Sequence, residues 1–278
     1  MDEQEHQFFQ RFTEPGADRY GLLWGFLTAS QLDPQPIKLA DSQHILLCSP
    51  QGCGDKKNPR VLVAHYDCVP GSPGANDNGA AVLQLIMAAK EMYQRKTPNW
   101  FILFTGKEER KRGSAINSQG SYLVAHGFKS IGFERAQVYI FDACGRGNTM
   151  ILSTALEQLS PQSLTPTMLE RIRLTRNLRA HALDTARKLM IRRLHILPTP
   201  FSDDLGFISA GFAAQTITML PEQEAQLLLN NPFRGKEYPP VTTWDLMNSP
   251  QDRRETLTED GFVIIPSFAA ALCEDNHV

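Results

Sequence analysis

The sequence predicts an α/β protein: a mixed, largely parallel central sheet with helices on both faces. Three observations carry that expectation. Apolar runs of strand length recur at Val61–Ala64, Trp100–Phe104 and Val138–Phe141. Helical segments separate them, which suits parallel pairing through right-handed crossovers. Each run also ends in polar residues able to do chemistry, and in such sheets ligands bind outside the carboxyl ends of the strands.

At 278 residues and 42% hydrophobic, the chain is long enough to bury a large core. One domain spanning residues 1–278 is expected, with residues 1–58 part of it. Lys and Arg number 28 against 30 Asp and Glu, a formal net charge of -2, so no global basic field argues for nucleic acid or an anionic membrane. The start, MDEQEHQFFQRF, lacks the order of a secretory signal, and no apolar run reaches bilayer length; a soluble cytoplasmic protein is the expectation. The five cysteines, Cys48, Cys53, Cys68, Cys144 and Cys273, show no CxxC spacing and suit free thiols better than a disulfide framework. Cys68 and Cys144 stand beside site candidates and read as small buried thiols.

Taken in order, Asp2–Glu14 and Ala17–Ser30 carry apolar stripes at helical spacing and read as two packing helices. A hairpin follows, Pro36–Leu39 with His44–Cys48, in which His44 is structural or exposed. After the strand Val61–Ala64, Asn78–Met92 has the length and Ala/Leu/Met content of a helix. The strand Trp100–Phe104 and a helix near Gly120–His126 lead to the strand Val138–Phe141. Pro166–Ile191 reads as a long amphipathic helix whose arginines form a solvated face. A polar loop, a short helix near Asp204–Ala210, a strand Ala214–Met219, a loop Pro240–Asp252 and a closing helix Leu257–Cys273 complete the chain.

The stretch Arg60–Ala80, RVLVAHYDCVPGSPGANDNGA, is the one around which the chemistry gathers. His65 and Asp67 stand two apart at a strand end, on one side of the pleat, and Asp77 stands at a helix entrance. An imidazole and two carboxylates suit a divalent cation, one acid serving to hold the imidazole's other N–H. Asp77 also fits a plain N-cap. Glu108 and Glu109 follow the second strand and Asp142 the third, so all five acids and His65 are expected at one rim of the sheet.

In this order HYD, ANDNGA, KEE, FDACGRGN and SDDLGF resemble the zinc-dependent aminopeptidases, the family that also contains glutaminyl cyclases and glutamate carboxypeptidase-like proteins. The resemblance covers most of Arg60–Ala270 and implies a zinc-exopeptidase, phosphorylase/hydrolase-like fold. It implies His65, Asp77 and Asp142 as ligands of one zinc, with Asp77 bridging to a second held also by Glu109. Glu108 would be the general base and Asp67 the partner of His65, in hydrolysis of an N-terminal peptide bond of a peptide or aminoacyl substrate. The Gly-Ser that follows the family's acid pair is matched to Gly120–Ser121; matching it to Gly113–Ser114 would shift the base to Lys107 and the ligand to Glu108. The family's last zinc ligand is a late His, and Asn248 stands there instead. An amide oxygen binds zinc more weakly than imidazole. His195, Asp203 and Asp204 are the alternative donors, while Asp203 and Asp204 equally suit capping of the following helix. A catalytically silent binding protein and, less favoured, a glutaminyl cyclase are the competing implications.

Overall fold

A computed structural model describes residues 1–51, 58–107, 116–158, 165–231 and 241–274. Glu108, Glu109 and Cys53 lie outside the described residues. Two N-terminal helices, α1 (Glu3–Phe12) and α2 (Arg19–Ala29), precede the hairpin β1 (Gln35–Leu39) and β2 (Ser42–Cys48). Then come β3 (Arg60–His65), α3 (Ala80–Arg95), β4 (Trp100–Thr105), α4 (Gly120–Ser130) and β5 (Gln137–Phe141). The second half runs β6 (Thr149–Ser153), α5 (Pro166–Lys188), β7 (Leu194–Leu197), α6 (Asp203–Ser209) and β8 (Ala214–Leu220). It closes with α7 (Glu222–Asn230), α8 (Thr242–Leu246) and α9 (Glu259–Leu272).

The described strands form one sheet in the order β1-β2-β4-β3-β5-β8-β6-β7. Its centre, β4-β3-β5-β8, is parallel, while β2 joins β4 and β6 joins β8 antiparallel. The expected mixed, largely parallel sheet with helices on both faces is therefore the fold. Period-two alternation sorts the central strands between two apolar layers. Leu62, Ala64, Ile102, Phe104, Tyr139 and Phe141 enter one, and Val61, Val63, Phe101, Leu103, Val138 and Ile140 the other.

That alternation also aims the site. Val61 pairs with Val138 and Val63 with Ile140, so the next step of the same register brings His65 toward Asp142. His65 is itself paired with Thr105 of β4. A row of polar residues thus continues the second apolar layer past the strand ends.

Several elements differ from the sequence expectation. The helix expected from Asn78 begins at Ala80; Ala75–Gly79 before it is an irregular turn with Asp77 and Asn78 at non-helical angles. β6, β7 and α7 have no counterpart in the sequence expectation: β6 and β7 have only five and four residues and carry no clear alternation. The expected loop after Pro240 contains the helix α8, whose Trp244 packs on the cluster of Ile151, Leu220 and Leu228. Packing of one aromatic side chain there stabilises a short helical turn that the Asn248-Ser249-Pro250 run just after it disguises. Among the described residues no helix is long and apolar enough to cross a membrane.

Candidate metal centre

His65, Asp77 and Asp142 meet at the carboxyl edge of β3 and β5, all three buried. His65 Nε2 stands 3.1 Å from Asp77 Oδ1 and 3.6 Å from Asp142 Oδ1. On its other side, Nδ1 lies 3.1 Å from the main-chain oxygen of Asp67. A carbonyl there accepts and cannot donate, so Nδ1 carries the proton and Nε2 presents a lone pair to the two carboxylates. The short contact of Asp67 with the imidazole is through its carbonyl; its carboxylate Oδ1 is 3.8 Å away.

With the tautomer fixed this way, three lone-pair donors face one another within 4.8 Å. Asp142 Oδ1 is buried and accepts no hydrogen bond among the described residues. Either an extra proton or a cation must relieve that repulsion, and one imidazole with two carboxylates is a donor set that suits zinc. The residues present therefore fit the ion. Burial raises the pKa of Asp77 from its ordinary value, and the neighbouring His65 opposes it. At Asp142 burial pushes the same way, but His65, Ser202 and the Ala143 amide together prevail and lower it.

The two loops that carry Asp77 and Asp142 are held by their neighbours. Asn78 Nδ2 donates to the Phe141 carbonyl at 2.8 Å, and its Oδ1 accepts from the Ala143 amide at 3.2 Å. Asn76 Oδ1 accepts from the Gly145 amide at 2.8 Å. Asp252, almost fully buried, accepts from the amides of Asn76 at 2.8 Å and Asp77 at 3.0 Å. Burial pushes the Asp252 carboxyl up to about 6, against the pull of those two amides. From the far side Arg19 of α2 donates to the carbonyls of Tyr66 at 3.0 Å, Gly74 at 3.1 Å and Pro73. Burial lowers the pKa of its guanidinium, and the fields of Cys68, Asp67, Asp252 and Asp77 act in the opposite sense. Sequence reasoning gave Asn76, Asn78, Asp252 and Arg19 no role. The pattern N-D-N was the one visible signal, since amide side chains on both sides of an acid are suited to bridging backbone groups.

The remaining expectations divide. Asp77 is not an N-cap: α3 starts from Gly79 with no side-chain cap bond. Asp203 and Asp204 open α6, whose N-cap is Ser202 with no side-chain cap bond. Both acids are buried and tie α6 to the sheet edge, Asp203 accepting from Thr105 Oγ1 and Asp204 from Thr216 Oγ1 at 2.9 Å. Burial pushes each up to about 6. His195 faces Glu222, 3.7 Å from its Oε1, on the edge strand β7. None of the three joins the cluster of His65, Asp77 and Asp142. Asn248 does reach it: with Asp77, Asp142, Thr199, Phe201 and Trp244 it lines a cleft of about 130 Å³. Cys144 is fully buried, as expected, whereas Cys68 is half-buried. His44 is fully buried, accepting the Gly106 amide at 3.2 Å on Nδ1 and contacting Ser42 Oγ at 2.8 Å. Gly120 donates its amide to the Lys107 carbonyl at 3.0 Å, so α4 starts against the segment leading into Glu108.

A parallel-centred sheet with an imidazole and two facing carboxylates at its carboxyl rim defines a protein of metallopeptidase fold. The chain belongs to peptidase family M28, whose sequence profile matches residues 51–246. Its fold is similar to that of the zinc aminopeptidase BSAP from Bacillus subtilis, at 18% identity and a TM-score of 0.55 over 83% of this chain. That match covers 48% of the Bacillus protein, so the chain spans about half its length. The LapA aminopeptidase of Legionella pneumophila aligns at 16% identity and a TM-score of 0.66, covering 98% of this chain and 70% of LapA. A glutaminyl cyclase from Porphyromonas gingivalis aligns at 17% identity and a TM-score of 0.65, covering 98% and 96%. Against curated protein sequences the chain finds no match.

Proposed function

We propose that the protein is a metal-dependent aminopeptidase acting on cytoplasmic peptides, with His65, Asp77 and Asp142 holding zinc and Glu109 serving a second ion. The observation that carries this reading is the convergence of His65 Nε2, Asp77 Oδ1 and Asp142 Oδ1 on one buried point. A zinc ion held there supplies acidification of a water and polarisation of the scissile carbonyl. The chain's own part is positional and protic. Asp67 keeps the proton of His65 on Nδ1, so that Nε2 is free to ligate. Asn78 keeps the two carboxylates at their separation. Glu108, three positions beyond the end of β4 in sequence, is the proposed base that takes the water's proton and delivers it to the leaving amine. The cleft sets the rings of Phe201 and Trp244 beside Thr199, Thr216 and Thr218, a lining that offers both apolar and polar contacts to the N-terminal residue of a substrate.

The test is Glu108→Gln with metal content measured beside turnover of aminoacyl reporter substrates. Loss of turnover by about a hundredfold or more with zinc retained is expected, that being the usual contribution of a positioned base; unchanged turnover removes Glu108 from the role. A second reading, a metal- or peptide-binding protein without turnover, is favoured by one observation, the amide of Asn248 in the cleft wall. Asn248→His separates the two. Tighter binding of a second ion with a gain of turnover supports the enzyme, and a second ion without turnover supports the silent reading.

A further inference from the structure

We propose that Arg19 is a positioning residue for the metal centre: its guanidinium, delivered by the N-terminal helix α2, locks the loop Tyr66–Gly74 and so holds Asp77 against His65. The inference rests on the reading of His65, Asp77 and Asp142 as ligands. Arg19 is 6% exposed. A buried guanidinium is costly to desolvate unless its donors are used, and its cation–π contact over the Phe12 ring, 4.7 Å away, uses the charge but none of the N–H donors. Its use lies in its fork. Among the described residues its hydrogen bonds go to main-chain carbonyls, Tyr66 by Nη1 and Pro73 with Gly74 by Nη2.

Those carbonyls sit at the two ends of one loop. Tyr66 directly follows His65, and Gly74 lies three positions before Asp77. Between them the chain's own ties gather on Ser72, which donates its amide to Val69, accepts from the Gly74 amide on its hydroxyl and accepts the Cys68 thiol on its carbonyl at 3.4 Å. Gly74, at φ +53°, gives the guanidinium its room, for a Cβ there would stand 2.7 Å from Arg19 Nη2. Asp252 takes the amides of Asn76 and Asp77 from the opposite side. An acid therefore grips the donors of this segment and a base grips its acceptors, and the planar fork of arginine is what lets one side chain gather both loop ends.

Arg19→Met keeps apolar bulk over Phe12 and removes the donors together with the charge of the cation–π contact. The expected result is a zinc Kd raised about 10- to 100-fold in chelator competition, the usual effect of losing a group that orients a ligand. In metal-free protein, alkylation of Cys68 in the same loop is expected to run about tenfold faster relative to Cys48 on β2, because thiol labelling follows local opening. Arg179→Met serves as the control, since Arg179 is 7% exposed, pairs with Glu157 and donates to the Ser153 carbonyl at 3.0 Å, with no bond to the loop Tyr66–Gly74 among the described residues; both readouts should stay at wild-type values. Arg19→Lys, which keeps the charge and loses the fork, should fall between wild type and Arg19→Met and serves if the latter fails to fold. Zinc affinity within about twofold of wild type, an unchanged Cys68 rate, or an equal effect of Arg179→Met would overturn the clamp. If the wild-type protein itself binds no zinc, the metal reading falls and the Cys68 rate alone decides on Arg19.

Discussion

His44 shows how a residue with no claim to chemistry supports the site. Its Nδ1 accepts the Gly106 amide, so the ring is held neutral, and burial drives its pKa down to about 4. The folded value lies below the ordinary 6.5, so the unfolded chain binds the proton first. Stability from this group is full above pH 6.5 and is lost as pH falls from 6.5 through 4, about 3 kcal/mol in all. Asp203, Asp204 and Asp252 have raised values near 6 and act in the opposite sense, favouring the fold as pH falls from 6 toward 3.8. Comparing His44→Gln with wild type cancels their contribution. Urea midpoints between pH 8 and 4 should show the variant less stable by about 1–3 kcal/mol at pH 8, from the lost hydrogen bond, and the gap should close or reverse by pH 4. A constant gap would place the titration elsewhere.

At the scale of elements, the contact between α4 and the end of β4 decides where the chain after Gly106 begins its path to Glu108. A Cβ on Gly120 would stand 1.9 Å from the Gly106 oxygen, a main-chain atom that cannot swing away. A Cβ on Gly127 of the same helix would meet only Leu39 Cδ1, at 3.8 Å. Gly120→Ala should therefore destabilise by about 1–3 kcal/mol through overpacking. Gly127→Ala should stabilise by up to about 1 kcal/mol through helix propensity. Thermal or denaturant unfolding of the pair reads both signs, and equal effects would mean that the helix start does not press on β4. The same two elements bear on the match of Gly120–Ser121 to the family's Gly-Ser, for Gly120 packs against the strand end that the acid pair follows.

For the molecule as a whole, an ion that binds the fold and not the unfolded chain raises stability by mass action. Zinc at about a hundred times its Kd should add about 2.7 kcal/mol, seen as a rise in Tm that chelator reverses. His65→Ala should abolish the rise while leaving a folded protein, because His65 sits at the rim and not within either apolar layer. A rise that survives in His65→Ala would move the ion to another place. The parallel strands β3 and β5 carry His65 and Asp142 to this rim, and β4, with Thr105, holds α6 down beside it.

The sequence by itself determined the central strands and the parallel sheet, because buried strands write themselves as unbroken apolar runs, while the grouping of His65, Asp77 and Asp142 is what its resemblance to the family's motifs implies. It also marked Asn248, a departure visible only as a letter out of place. Tertiary structure alone decided what bonds around those residues: Arg19 lies 58 positions from Asp77 and Asp252 lies 175 beyond it, and no local pattern distinguishes a buried charge that bonds main-chain groups from a surface charge. It decided as well that Asp203 and Asp204 bind threonines of the sheet, and that a helix forms under Trp244. Hydrogen bonds to main-chain atoms of a distant loop leave no periodicity in a sequence, since the partner contributes a backbone group that every residue carries.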